Sequence, residues 1–262
     1  MFENKVMLVT GAASGLGEAT VRAASAQGAR VLALDIQDTA AYALCSETGA
    51  QYLHCDVSKA QDWHAVRDQI TAADGAGPPD YLYLNAGIQI APPSAPMAEY
   101  TFDAMTEERY RRLMGVNVDG VVFGLHTLLP IMQPGSSIVV TCSLAGVTPY
   151  AIDPLYSMSK HAVAGLVRSM GPVLAERDIK INAICPGGVD TALIPTDQRQ
   201  QIEAITAQGQ GLMTPAQLAQ DVLALFDAPE TGKTWAKVAE TKAPFIIRAP
   251  GDKKRSAKVT PS

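Results

Sequence analysis

The sequence predicts an α/β chain built on a doubly wound parallel sheet of about seven strands, with helices on both faces. Three observations predict it. Short apolar runs alternate with longer helical patterns along the chain, as repeated βαβ units require. The runs are near-continuously apolar, as strands covered on both faces are. The first strand-to-helix turn is rich in glycine. With 262 residues and 47% apolar content the chain can bury a large core, and no linker breaks the pattern. Residues 1–242 are therefore read as one domain and 243–262 as a C-terminal extension.

In chain order, strands are expected at VMLVT (6–10), RVLALD (30–35), AQYLHCD (50–56), DYLYLN (80–85), SSIVVTCS (136–143), IKINAIC (179–185) and TWAKVA (234–239). Each is short, rich in apolar residues and bounded by turn residues. Helices are expected at about 15–27, 38–48, 59–73, 103–132, 154–177 and 214–227. Ser58, Asp153 and Thr214 are placed to open three of them, and Pro215 suits a first helical position.

Composition excludes several classes of function. Charged residues make up only 18% and the net charge is −5, which argues against nucleic acid or an acidic membrane surface as partner. No stretch reaches the roughly 18 apolar residues of a membrane span, and the five-residue run after MFENK is too short for a signal peptide. Cys45, Cys55, Cys142 and Cys185 are scattered without a C-x-x-C pair, as free thiols of a reducing compartment are. A cytoplasmic protein is expected. His54, His64, His126 and His161 form no ligand pattern, so no metal is expected. The run EERYRR (107–112) reads as a solvated helix face with local ion pairs, and the basic tail GDKKRSAK as a solvated end.

The turn TGAASGLG (10–17) follows the first strand. Glycines at 11, 15 and 17 would let the backbone approach a pyrophosphate, which would rest on the N-terminus of the next helix, where free N–H groups favour anions. Asp35 ends the next strand, eighteen residues beyond Gly17. A carboxylate there can accept from both ribose hydroxyls of an adenosine and would repel a 2′-phosphate. No arginine or lysine sits in the turn or directly after Asp35, so NAD is expected rather than NADP. The sheet is thus of Rossmann type.

Ser143 closes the fifth strand, at the carboxyl end where open α/β sheets bind ligands. Tyr156 and Lys160 are four apart on the helix that follows, hence on one face. A phenol with an unperturbed pKa of about 10 is a poor base at neutral pH, and a fixed cation close by would favour its ionised form. Three proton-handling groups could converge there.

In this order the motifs resemble those of the short-chain dehydrogenase/reductase family, single-domain type, from about residue 5 to 239. The resemblance implies that Gly11, Ser14, Gly15, Leu16 and Gly17 form the cofactor loop, that Asp35 and Ile36 meet the ribose end, and that Asp56 and Val57 hold the adenine. Asn85-Ala86-Gly87 is similar to the family's N-A-G turn, which stabilises the sheet beside the cofactor. Asn117 matches the asparagine that bends the long helix and holds a water linked to the lysine. Ser143, Tyr156 and Lys160 fall at the S-x12-Y-x3-K spacing. Pro186, Gly187, Val189 and Thr191 resemble the segment that receives the nicotinamide carboxamide. By resemblance, Asn117, Ser143, Tyr156 and Lys160 are the catalytic set, Tyr156 and Lys160 also touching the cofactor. The family's V-D-G-G ending is missing after residues 231–238, and the loop from Gly87 to Tyr110 is long.

The chemistry implied is hydride transfer between NAD(H) and a secondary alcohol or ketone. Tyr156 would be the general acid/base, Ser143 would bond the substrate oxygen, and Lys160 would favour the phenolate and bond the nicotinamide ribose. The stretches expected to line the pocket (88–100, 144–153 and 188–213) are mostly apolar and lack paired arginines, which suggests a neutral, fairly apolar substrate. A 3-oxoacyl-thioester reductase of the same family, or a nucleotide-binding regulator without catalysis, are the alternatives. The family usually pairs two long helices across subunits, and 103–132 and 154–177 carry apolar residues over more than one face, so a homo-oligomer, a tetramer or a dimer, is expected. The segment APFII (243–247) is apolar enough to dock, over the pocket or against a neighbouring subunit.

Overall fold

The structure is a computed structural model and describes residues 2–194, 197, 199 and 212–248. The tail expected to be solvated (251–262) and part of the expected pocket segment (195, 196, 198 and 200–211) lie outside the described residues.

Eight strands form one sheet: β1 Val6–Thr10, β2 Arg30–Asp35, β3 Gln51–His54, β4 Tyr81–Leu84, β5 Ser137–Thr141, β6 Lys180–Pro186, β7 Lys233–Lys237 and β8 Phe245–Ile247. Their order is β3-β2-β1-β4-β5-β6-β7-β8. Every neighbouring pair is parallel except the last, where β8 runs antiparallel to β7. The winding direction reverses between β1 and β4, which opens a crevice at their carboxyl ends.

The helices are α1 Gly15–Ala26, α2 Asp38–Thr48, α3 Ala60–Thr71, α4 Glu107–Met114, α5 Gly120–Leu128, α6 Pro154–Ala175 and α7 Pro215–Leu225. Strand alternation divides the core between two layers. In β1, Leu8 faces Trp63, Val66 and Ile70 of α3 together with residues of α5 and α6. Met7 and Val9 face the layer of α1, α2 and α7, with Val21, Leu44, Leu218 and Val222.

Local chemistry explains the helix starts. Asp153 accepts from the Tyr156 N–H at 2.9 Å and opens α6 with Pro154 in its first turn. Thr214 accepts from the Gln217 N–H at 3.3 Å and opens α7 ahead of Pro215. Ser58 does not cap α3, because its hydroxyl donates to Asp56 at 2.7 Å and Lys59 takes the N-cap position. The helix expected over 103–132 starts later, at Thr106, whose hydroxyl accepts from the Arg109 N–H at 3.2 Å. A π-helical turn over Gly115–Asp119 interrupts it around Asn117, a distortion that often marks functional positions.

The sheet has one strand more than the sequence predicts. Residues 245–247, inside the stretch read as an extension, pair with β7 through Ala236–Phe245, Trp235–Ile246 and Thr234–Ile247. The segment therefore docks on the sheet edge, not over the cleft. Phe245 stays 49% exposed, so only the two isoleucines gain substantial cover. A chain ending at Lys242 is expected to be less stable by roughly 1–3 kcal/mol, the value of half-burying two isoleucines. Thermal melting of both chains checks this, and an unchanged Tm would mean that β8 adds nothing.

Candidate active site

The crevice at the switch point is a cleft of about 770 Å³. Of the residues singled out in the sequence, Gly11, Ser14, Gly15, Leu16, Asp35, Ile36, Asp56, Val57, Asn85, Ala86, Gly87, Ser143, Tyr156, Lys160, Pro186, Gly187, Val189 and Thr191 all line it. Gly17 and Asn117 stand behind the wall and shape it.

The glycine loop is built by close approach. Gly11 and Gly15 have φ of 63° and 53°, in the left-handed region that L side chains rarely adopt. A Cβ on Gly17 would lie 1.9 Å from the Gly11 carbonyl oxygen, so the loop closes only around a hydrogen there. A Cβ on Gly15 would lie 3.1 Å from Cγ2 of Thr191, which places Thr191 against the loop from across the cleft. The free N-terminus of α1 thus faces the cleft through Ser14, Gly15 and Leu16.

Asn85 ties the floor together. Its Nδ2 donates to the Thr10 and Gly11 carbonyls at 3.1 and 3.4 Å, and its Oδ1 accepts from the Thr141 hydroxyl at 3.0 Å. Thr10 Oγ1 in turn accepts from the N–H groups of Asn85 and Ala86 at 2.9 and 3.0 Å. One asparagine therefore joins the ends of β1, β4 and β5.

At the far end Asp35 is buried, and its carboxylate accepts from the Ala13, Ile36 and Gln37 N–H groups at 2.9, 2.8 and 2.9 Å. Among the described residues, the cations that line the cleft are Arg112 and Lys160, bonded to the Ile90 and Thr141 carbonyls respectively, so none stands beside Asp35. Asp56 accepts from the Ser58 N–H and hydroxyl and pairs with Lys59 at 3.1 Å, while its own N–H is held by Asp62 at 2.9 Å. Left-handed glycines, an open helix N-terminus and a carboxylate at the second strand end fit a dinucleotide laid across the switch point.

Ser143, Tyr156 and Lys160 converge at the other end. Ser143 leaves β5 in extended conformation, and its Oγ accepts from the Ala145 N–H at 3.1 Å. Tyr156 and Lys160 are both buried. Burial pushes the Tyr156 phenol above its ordinary pKa, with hydrogen bonding to Ser143 acting in the opposite direction. Burial also lowers the Lys160 pKa. The expected depression of the phenol by its neighbouring cation is thus not what this structure displays: Nζ of Lys160 lies 5.7 Å from the Tyr156 ring centroid and donates to the Thr141 carbonyl at 3.0 Å. Desolvation is the largest influence on the phenol.

Asn117 is fully buried, and its side chain is engaged with protein. Oδ1 accepts from the Ile88 N–H at 2.8 Å, and Nδ2 donates to the Ile88 carbonyl at 2.9 Å and to Ser159 Oγ at 3.0 Å. It holds the chain after Gly87 against α6, a contact that spacing alone does not reveal.

Three residues not singled out individually also line the cleft, and two of them, Gln89 and Tyr150, fall within the stretches expected to line the pocket. Arg112, read as part of a solvated face, lines the cleft and donates to the Ile90 carbonyl at 2.9 Å. Gln89 and Tyr150 line it as well, and the Tyr150 ring packs edge-on against Tyr156 at 6.1 Å between centroids. Only the segments around 88–93, 144–150 and 188–194 of the expected lining reach the cleft among the described residues.

The family model described as short chain dehydrogenase matches residues 5–202. The chain belongs to that family. It is an oxidoreductase fold in sequence as well as in shape. This short-chain dehydrogenase is 34% identical over 240 residues to momilactone A synthase of Oryza sativa subsp. japonica, covering 87% of this chain and 85% of the relative. It is 36% identical over 195 residues to a 2,5-dichloro-2,5-cyclohexadiene-1,4-diol dehydrogenase of Sphingobium indicum, covering 72% and 74%. A 3-ketoacyl-(acyl-carrier-protein) reductase from Brucella melitensis, solved with NADH, superposes with a TM-score of 0.80 at 26% identity over 90% of this chain and 97% of that one. No helix among the described residues is long and apolar enough to cross a membrane.

Proposed function

We propose that this short-chain dehydrogenase is an NAD-dependent enzyme that transfers a hydride between the cofactor and a neutral, fairly apolar secondary alcohol or its ketone. The observation that carries the proposal is the pairing of two ends of one cleft: a buried Asp35 at one, and buried Tyr156 beside Ser143 at the other. Bound NAD would supply the hydride acceptor. Gly11, Ser14, Gly15, Leu16 and Gly17 would seat its pyrophosphate, Asp35 and Ile36 the adenosine ribose, and Asp56 and Val57 the adenine. Asn85, Ala86 and Gly87 would support the nicotinamide side, with Pro186, Gly187, Val189 and Thr191 toward the carboxamide.

Tyr156 would take the carbinol proton on its phenolate oxygen in oxidation and return it in reduction. Ser143 would hydrogen-bond the substrate oxygen and stabilise charge that develops there. Lys160, buried and already tethered to the Thr141 carbonyl, would hold the ribose and in its charged form favour the phenolate. Asn117 would position α6 and the chain after Gly87. Four free cysteines, three of them buried, suit a reducing compartment such as the cytoplasm.

Kinetics with both cofactors against a panel of secondary alcohols, followed by absorbance of the reduced cofactor, test this reading. kcat/KM is expected to be about 10-fold or more higher with NAD than with NADP, because a 2′-phosphate against Asp35 loses hydrogen bonds and meets like charge. The reverse preference would refute the role of Asp35. The alternative of a 3-oxoacyl-thioester reductase draws on the Brucella melitensis neighbour and would appear as faster turnover of a 3-oxoacyl thioester than of any alcohol or simple ketone.

We also propose that the chain forms a homo-oligomer through α5 and α6. Val122, Met158 and Val173 are 41%, 42% and 54% exposed, and a shallow groove between the helices is lined by Val122, Leu166 and Met170. A second copy would cover this apolar face. Light scattering at micromolar concentration is expected to give a dimer or tetramer, and a monomer would overturn the proposal.

A further inference from the structure

Gln89 stands out among the cleft residues. It is 6% exposed, it lines the cleft with Ser143 and Tyr156, and its Oε1 has no hydrogen-bond partner among the described residues. Buried carbonyl oxygens are rarely left without a donor, because desolvation is then uncompensated.

The backbone on both sides of Gln89 is fixed by three different elements. Ile88 is bonded through both N–H and carbonyl to Asn117 of the π-helical turn, at 2.8 and 2.9 Å. The Ile90 N–H donates to the Asp153 carboxylate that caps α6, at 2.9 Å, and the Ile90 carbonyl accepts from Arg112 of α4 at 2.9 Å. The Gln89 amide neighbours the Tyr150 hydroxyl and opposes the rise that burial imposes on that phenol. Oε1 is the unpartnered end of this amide. An acceptor carried on so fixed a backbone is preorganised for a ligand.

The ligand's chemistry follows from the surroundings. Ile90, Ala91, Ala145, Leu155 and Tyr156 form the apolar cluster beside Gln89. The buried carboxylate bonded to neighbouring Ile90, Asp153, is already occupied by the Tyr156 and Ile90 N–H groups. An ammonium would therefore meet no counter-charge, whereas a neutral hydroxyl would satisfy Oε1. Tyr150, whose ring lies 6.1 Å from that of Tyr156, connects Gln89 to the proposed acid/base, so the second hydroxyl would belong to the same small molecule as the reacting carbinol.

We propose that Gln89 is a specificity-determining residue that accepts a hydrogen bond from a second hydroxyl of the substrate, making diols the preferred alcohols. This rests on the dehydrogenase reading above and extends it from apolar secondary alcohols to those with a second polar handle. A site built to bond a hydroxyl discriminates against the analogue that lacks it, since its buried acceptor is then left unpaired.

The test compares cyclohexanol with the cyclohexane-1,2-, 1,3- and 1,4-diols, using NAD, in wild type and in Gln89→Leu. Wild type is expected to favour at least one diol over cyclohexanol by about 10-fold in kcat/KM per carbinol, and Gln89→Leu to lose most of that ratio. A general structural defect would slow both substrates and leave the ratio unchanged, which would overturn the proposal, as would a wild type without preference. Gln89→Met, closer in length, replaces the leucine variant should that one fail to fold. Absence of turnover with every alcohol would count against the dehydrogenase reading alone. Calorimetric titration of the same alcohols into the protein with NADH then decides: tighter diol binding that disappears in the variant supports the role of Gln89, and equal affinities in both proteins remove it.

Discussion

Replacing Tyr156 by Phe is expected to lower kcat about 10²- to 10⁴-fold, the range that a positioned general acid/base supplies. The ring packs against Tyr150 and the apolar cluster around Leu155, and the variant keeps both contacts. Cofactor affinity and thermal stability are therefore expected to stay close to wild type, so that the loss is read in kcat. The pH dependence follows from the same group. Burial raises the Tyr156 pKa above 10, so the phenolate is the minor form at neutral pH and its fraction rises about tenfold per pH unit below the pKa. Alcohol oxidation by wild type is expected to speed up from pH 6 to 10 without a plateau, whereas ketone reduction, which needs the phenol, is expected to be nearly flat as far as this group controls it. An oxidation rate that is level over this range, with hydride transfer rate-limiting, would remove Tyr156 as base.

Gly17→Ala is the second large effect. The added Cβ would fall 1.9 Å from the Gly11 oxygen and 2.9 Å from Asn85 Nδ2, so the loop must open and the ties from Asn85 to β1 must stretch. Overpacking of this kind costs about 1–3 kcal/mol, which would raise the Kd for NAD roughly 5- to 150-fold if it falls on the bound loop. Titration of protein fluorescence with NADH measures this. An unchanged Kd would show that the loop does not have to keep this closure to bind the cofactor.

Much of the sheet and of the cleft was legible in the sequence because both are dictated locally. Continuous apolar runs set the seven parallel strands, and the glycine turn with Asp35 marked the residues expected to seat a dinucleotide. The β8 edge strand was not legible as a strand, since three residues carry no periodicity and their pairing with β7 is a tertiary event. The π-helical turn at Asn117 likewise depends on bonds to Ile88 and Ser159, which are distant in sequence. Arg112 was misplaced for a related reason. Its charged neighbours mark α4 as a surface helix, but the side chain reaches from the rim to the Ile90 carbonyl. The balance at Tyr156 was also hidden, because the spacing to Lys160 gives their proximity and not the burial that is the largest influence on the phenol. Asp153 was visible as a helix cap, and its second bond to Ile90 was not.

The central claim is direct hydride transfer from a secondary carbinol to NAD with Tyr156 as base, and isotope transfer tests it most directly. Cyclohexanol or a cyclohexanediol deuterated at the carbinol carbon would be incubated with NAD and wild-type protein or Tyr156→Phe, and the NADH formed examined by proton NMR. Deuterium is expected at C4 of the dihydronicotinamide in one of its two diastereotopic positions, with the yield falling at least about 10²-fold in the phenylalanine variant. NADH formed without deuterium, or formed equally fast by Tyr156→Phe, would contradict the claim.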